Sequence, residues 1–83
     1  MGEKLIGEVT HYYARIGVAA VLLSGPLKVG DQIHVLGRTS DFQQKVTSMQ
    51  VEHEEIAEAL AGQEIGLRVA ERARQKDRVY RIE

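Results

Sequence analysis

Two aromatic rings and a guanidinium group lie close together near the start of the sequence. Tyr12, Tyr13 and Arg15 follow a strand-like segment and precede a second apolar run. Aromatic faces and guanidinium planes stack on unpaired nucleic-acid bases, and the same residue types are enriched in protein interfaces. Neighbouring residues of a strand face opposite sides, so at most one tyrosine should be buried. The cluster predicts a contact surface for RNA or protein; the alternative is that one ring joins the core and the other caps it.

Charged residues are distributed unevenly, although the formal net charge is only −1. The segment from Glu52 to Glu64 contains glutamates and no lysine or arginine, whereas the segment from Arg68 to Arg81 is rich in arginine. Such runs are usually solvated faces, and the alternative is a basic patch that meets phosphate or an acidic partner. The residues predicted to make such contacts, together with Arg15, are Lys28, Arg38, Arg68, Arg72 and Arg74.

The histidines do not form a pattern that metal binding or catalysis requires. His11, His34 and His53 are far apart, and no two share an element at metal-ligand spacing. His34 lies between Ile33 and Val35 and should point outward. The glutamates after His53 would suit acid–base chemistry only in a cleft that separates their pKa values. The sequence therefore predicts no catalytic residue, no metal and no cofactor, and a small enzyme is the weakest hypothesis.

The length and composition of the chain limit its organisation. Its 83 residues, of which 43% are hydrophobic, suit a single domain over residues 1–83 with one core. There are no cysteines, which excludes disulfides and thiolate metal sites and favours a reducing, cytoplasmic location. The longest apolar run, from Ile16 to Leu23, is too short to cross a bilayer and suits a central buried strand. No membrane association is expected.

Frequent turn signals and short alternating runs predict an all-β domain of six strands. The predicted strands are 5–11, 16–23, 32–35, 43–51, 64–69 and 79–82, with a bulge near Thr47 or Ser48 in the fourth. One segment disagrees with this pattern. Residues 53–61 are rich in helix formers and end at Gly62, which predicts a short helical turn or an ordered loop near 54–61, with Ile56 and Leu60 covering one end of the domain.

The order of these signals resembles domain II of the translational GTPases, such as elongation factor Tu and the bacterial initiation factor GTPase. The resemblance is carried by Gly7-Glu-Val9, Arg15-Ile-Gly17-Val18, Val21-Leu-Leu23-Ser-Gly25-Pro-Leu27-Lys-Val-Gly30-Asp31-Gln-Ile33, Val46-Thr-Ser-Met49-Gln50 and Ala59-Leu-Ala-Gly62-Gln-Glu-Ile65-Gly66-Leu67. It implies a six-stranded, partly closed Greek-key β-barrel. The chain departs from the family pattern at the first hairpin tip, at Lys76-Asp77 and at Gly62-Gln63, where the pattern has Gly-Asp.

The resemblance implies a non-enzymatic binding module that contacts RNA or a ribosome-associated partner. The sequence contains no glycine-rich phosphate loop ending in Gly-Lys-Ser or Gly-Lys-Thr, so no GTP binding is expected. A second hypothesis comes from similar barrels that occur as C-terminal appendages of a collagenase-like peptidase family. It makes the chain a protein-interaction module that partners such an enzyme.

Overall fold

The computed structural model describes residues 2–83, and within them the chain forms β-strands and no helix. This confirms the all-β prediction. The strands are β1 (Glu3–Tyr13), β2 (Val18–Leu23), β3 (Leu27–Lys28), β4 (Gln32–Leu36), β5 (Asp41–Lys45), β6 (Met49–Val51), β7 (Glu54–Ile56), β8 (Glu58–Ala59), β9 (Glu64–Arg68) and β10 (Arg78–Ile82).

Eight of these strands form one antiparallel sheet in the order β5-β4-β10-β1-β2-β9-β6-β7, and β3 pairs with β8 separately. The long strand β1 lies in the middle, between β10 and β2, and has register irregularities between Leu5 and Gly7 and between Val9 and His11. The pairing of β1 with β10 brings the two ends of the described chain together. There the N–H of Glu83 donates to the carbonyl oxygen of Gly2 at 2.8 Å.

The edge strands β5 and β7 do not pair with each other, so the backbone ladder of the sheet is not closed. The predicted six-stranded, partly closed Greek-key barrel is therefore not confirmed. A side chain spans the gap beside β5. The Gln44 amide donates to the carbonyl oxygen of Arg68 at 2.9 Å and accepts from the N–H of Ala70 at 2.7 Å. It thereby offers the end of β9 and the residues that follow it the donor and acceptor that a neighbouring strand would offer.

The core is formed by alternate residues of most strands. Ile33 and Val35 of β4, and Ile65 and Leu67 of β9, are buried as their spacing predicts. The remaining core residues are Ile6, Val9, Ala19, Val21, Leu23, Leu27, Phe42, Val46, Met49, Ala59, Val69, Ala73 and Val79.

Three turns share one geometry, and each leads into a strand. In Lys28–Asp31, Leu60–Gln63 and Arg74–Asp77, the fourth residue's N–H donates to the first residue's carbonyl, and its side-chain oxygen accepts from the first residue's N–H. The third residue of each has a positive φ, which is 100° at Gly30, 93° at Gly62 and 78° at Lys76. Lys76 is the one side chain of the three that must adopt this left-handed conformation, which favours glycine.

The helical turn predicted near 54–61 is wrong, because this segment forms β7 and β8. Glu52 and His53, with φ of 51° and 68°, make a two-residue hairpin turn between β6 and β7. Ile56 then pairs with Met49, and Ala59 pairs with Leu27. A helix this short has little stability of its own, so pairing with distant strands prevails. Leu60 was predicted to cover one end of the domain, but it is 67% exposed.

The predicted fourth strand, 43–51, is divided between β5 and β6. Residues 46–48 between them are irregular, and the two parts pair with different neighbours, β4 for β5 and β9 and β7 for β6. Val46 and Met49 are both buried because the strand is interrupted. The irregularity predicted as a bulge near Thr47 or Ser48 is thus a full interruption of the strand.

Candidate partner-binding surface

The two adjacent tyrosines of β1 face opposite sides of the sheet, as their alternation predicts. Tyr12 is half-buried and packs against the core. Tyr13 is 48% exposed on the outer face, where its ring meets that of His11 edge-on at a centroid distance of 4.4 Å. Arg15 is exposed in the turn that follows. Tyr13 and Arg15 are therefore available for contact, and Tyr12 is mainly structural.

The turn after β1 places an apolar side chain at the surface. The N–H groups of Ile16 and Gly17 both donate to the carbonyl oxygen of Tyr13, at 3.3 and 3.0 Å, and Gly17 has a φ of 66°. The chain reverses here, so β2 begins at Val18, whereas the predicted strand began at Ile16. Ile16 is 58% exposed. The central position predicted for this strand is confirmed, since β2 lies between β1 and β9, but its residue Leu22 is exposed on the outer face.

The outer faces of β2, β9 and β6 form a shallow cavity of about 330 Å³. We call it the outer groove. Its lining residues are Tyr13, Ile16, Val18, Ala20, Gln50, Glu52, His53, Glu64, Ile65 and Gly66. Ala20 lies opposite Gly66 in the β2–β9 pair, and Gly66 lies opposite Gln50 in the β9–β6 pair. Ala20 and Gly66 leave the groove open, because larger side chains at these two positions would fill it.

The rim of the outer groove is apolar at one end and acidic at the other. Tyr13 and Ile16 form the apolar end, and Glu52 and Glu64 supply carboxylates. Glu64 is held in place by Thr10, whose hydroxyl donates to its Oε2 at 2.6 Å. Ion pairs within residues 2–83 do not involve either glutamate. The groove therefore suits an apolar group that is flanked by positive charge.

The predicted basic residues do not come together as one surface. Lys28 lines a separate cavity beside β3 and β8, and Arg68 lines another beside Gln44. Arg72 is exposed in the bend after β9. Only Arg38 and Arg74 meet, at a cleft of about 530 Å³ that they share with Thr39 and the turn residues up to Asp77.

A polar cluster around His34 was not predicted from the sequence. The His34 ring lies between two carboxylates: Nδ1 is 2.9 Å from Glu3 Oε1, and Nε2 is 2.5 Å from Asp41 Oδ1. These hydrogen bonds raise the pKa of His34 above its ordinary value of 6.5, that with Asp41 contributing most and that with Glu3 next. Since carboxylates only accept, both bonds form together only when the imidazole is doubly protonated. His34 points outward as predicted, and the cluster joins β1, β4 and β5.

Two further features bear on function. Within residues 2–83, His, Asp and Glu side chains do not gather in a group of three or more that could hold a metal ion. The same residues contain no helix long and apolar enough to cross a membrane.

Comparison with known proteins decides the family. The model of elongation factor Tu domain 2 matches residues 18–76. The chain belongs to this family. This confirms the resemblance to translational GTPase domain II that was found in the sequence. What is confirmed is the type of domain.

The curated relatives that match the domain are proteases. An uncharacterised protease of Methanocaldococcus jannaschii is 36% identical over 76 residues, which is 90% of this chain and 19% of that protein. A collagenase of Porphyromonas gingivalis is 35% identical over 83 residues, covering 98% of this chain and 23% of the enzyme. The chain thus spans about a fifth of the length of these relatives.

Solved structures show the same fold. Two crystal structures of the C-terminal domain of a candidate U32 peptidase from Geobacillus thermoleovorans superpose with TM-scores of 0.87 and 0.89, at 20% and 19% identity. They cover 92% and 96% of this chain, and the chain covers 96% and 93% of theirs.

These comparisons overturn the main functional prediction. A translation-factor-like module that contacts RNA or the ribosome is wrong, since the relatives are proteases and collagenases. The dispersal of Lys28, Arg68 and Arg72 over different parts of the surface gives a physical reason, because phosphate binding needs cations along one face. The comparisons favour the second hypothesis, the partner module of a peptidase.

Proposed function

We propose that residues 1–83 form one non-enzymatic protein-interaction domain that acts with a peptidase-type catalytic domain. The observation that carries this proposal is the pattern of the matches. Nearly the whole of this chain aligns with about a fifth of each collagenase or protease, so the module recurs beside a much larger part of those proteins. We further propose that the module is a Greek-key barrel whose seam is closed by the Gln44 side chain, and that its location is cytoplasmic.

The outer groove is the surface that we assign to this contact. Tyrosine is enriched at the centre of protein interfaces, and the centre of an interface is more apolar than its rim. The exposed Tyr13 and Ile16 lie at the same end of the groove, and Leu22 continues the apolar surface along β2. Glu52 and Glu64 add negative charge that is not paired within the described chain. The matching face of the catalytic domain should present an apolar side chain beside lysine or arginine.

The test is binding of the domain to a peptidase-type catalytic domain from the same organism, measured by calorimetry. Ile16→Ser and Tyr13→Ala should each weaken binding about tenfold, the loss expected for an interface anchor worth about 1.4 kcal/mol. Leu36→Ser is the matched control, because Leu36 is an exposed aliphatic residue on β4, away from the groove. Its affinity should stay within twofold of the unchanged protein.

Two results would contradict the proposal. Absence of binding to any such catalytic domain would refute the partnership itself. An equal loss of affinity in Leu36→Ser would leave the partnership standing and refute the outer groove as its site. Circular dichroism on each variant separates loss of contact from loss of fold.

A further inference from the structure

A second surface of the molecule has the opposite charge to the outer groove. The cleft of about 530 Å³ where Arg38 and Arg74 meet is also lined by Lys76. We call it the basic cleft. Its cations come from two distant parts of the chain, the loop between β4 and β5 and the turn before β10. In residues 2–83 none of the three cations makes an ion pair within 4.0 Å.

The base of the basic cleft is held together by hydrogen bonds and close contacts. Asp77 is buried, and its Oδ2 accepts the N–H of Arg74 at 2.8 Å. A methyl group at Gly37 would lie 1.8 Å from Asp77 Oδ1, so the loop and the turn are in close contact. Reciprocal backbone bonds of 2.7 Å join Val9 to Lys76 and Asp77. Asp77 is the one acid of the cleft, so three cations leave an excess of positive charge.

Lys76 adds an independent observation. Its φ of 78° is left-handed, and the other two turns of the same geometry have Gly30 and Gly62 at this position. A lysine here is less favourable for the backbone than glycine would be. Lysine in place of glycine at this position adds a third cation, and the Lys76 side chain lines the basic cleft.

The hydrogen bonding of the backbone N–H groups in the cleft indicates which type of anion it suits. Compact phosphate sites use several free backbone N–H groups that converge on one point. Here the N–H groups of Arg74, Lys76 and Asp77 all donate within the chain. The positive charges of the cleft lie on long side chains, spread over a volume far larger than one phosphate. Guanidinium groups pair with carboxylates through two parallel hydrogen bonds, so spaced carboxylates on an extended chain fit this arrangement.

We propose that the basic cleft binds an acidic peptide segment, with Arg38, Arg74 and Lys76 each contacting a carboxylate. This site goes beyond the contact assigned to the outer groove. It uses different residues on different elements, so either proposal can fail without the other.

The experiment titrates isotopically labelled protein with a hexaglutamate peptide at low ionic strength and follows backbone amide shifts. We expect shifts confined to residues 37–40 and 74–77, and affinity that falls as salt is added. Hexaglutamine should not bind. Tripolyphosphate should bind more weakly than hexaglutamate, because the N–H groups of Arg74, Lys76 and Asp77 are already engaged within the chain.

Charge variants locate the site. Arg74→Gln and Lys76→Gly should each weaken hexaglutamate binding about tenfold, the effect of losing one hydrogen bond to a charged group. Lys76→Gly also relaxes the backbone, so loss of fold is not expected. Lys28→Gln is the matched control, since Lys28 holds the position of Arg74 in another of the three turns. It should leave the affinity unchanged.

Three results would overturn the assignment: no binding of hexaglutamate, shifts scattered over the surface, or equal weakening by Lys28→Gln. Tighter binding of tripolyphosphate than of hexaglutamate would also reject a peptide as the ligand.

Discussion

Replacing Gln44 by alanine should destabilise the domain, although Gln44 is a polar residue on an edge strand. The change removes the two hydrogen bonds, of 2.9 and 2.7 Å, that join β5 to the last residue of β9 and to Ala70. A neutral hydrogen bond contributes about 1 kcal/mol. Because Ala70 is exposed, its freed N–H can bind water, so no desolvation penalty is added. We expect a loss of about 1–2 kcal/mol in the free energy of unfolding, or a fall of about 5–15 °C in Tm for a domain of this size.

Urea and thermal denaturation followed by circular dichroism measure this loss. Gln43→Ala is the control, since the neighbouring Gln43 is exposed on the same strand and makes none of the side-chain hydrogen bonds described for the chain. It should change stability by less than about 0.5 kcal/mol. If the two variants lose the same stability, the seam is not held by the Gln44 amide and the reasoning is refuted. Gln44→Glu should fall between them, since its carboxylate can accept from Ala70 but repels the Arg68 carbonyl.

Two further predictions concern stability. The raised pKa of His34 means that its protonated form stabilises the fold; this contribution is complete below pH 6.5 and is lost as pH rises through the raised folded value. Asp41→Asn should flatten that pH dependence of unfolding, whereas His11→Gln should preserve it, and an unchanged pH profile in Asp41→Asn would refute the assignment. Lys76→Gly should raise the free energy of unfolding by about 0.5 kcal/mol, the net of relieved strain and added unfolded-state entropy. Gly62→Ala at the equivalent position should lower it by about 1 kcal/mol or more, and urea titrations that place both changes on the same side would contradict the shared geometry.

The strands could be predicted where alternation was regular. Ile33 with Val35 and Ile65 with Leu67 mark β4 and β9, because a two-residue period determines which side chains are buried. The segment 54–61 could not be predicted from local preference. Its helix-forming residues become strands because Ala59 pairs with Leu27, a partner 32 positions away in the chain.

The candidate site was predicted only in part. Tyr13 was predicted as a contact residue from its type and alternation, and the structure exposes it. Ile16 was missed because an apolar residue at the start of an apolar run is usually buried, and only the reversal at Gly17 brings it to the surface. Lys76 had a signal in the sequence, since it stands where the family pattern has glycine. Its meeting with Arg38 depends on tertiary contacts that spacing does not reveal.

The central place of β1 in the sheet has a consequence for how the chain folds. Its pairing with β10 joins residues from opposite ends of the described sequence, whereas its pairing with β2 needs only a short turn. Closing so long a loop costs more entropy than closing a hairpin, and contacts of this kind slow folding. The β1–β2 hairpin can therefore form first as a local unit, whereas β4 and β5 join the central sheet only through β10. The β1–β10 pair, in the middle of the sheet, is therefore completed late. A short covalent link between residues 2 and 83 would make this slowest contact a local one.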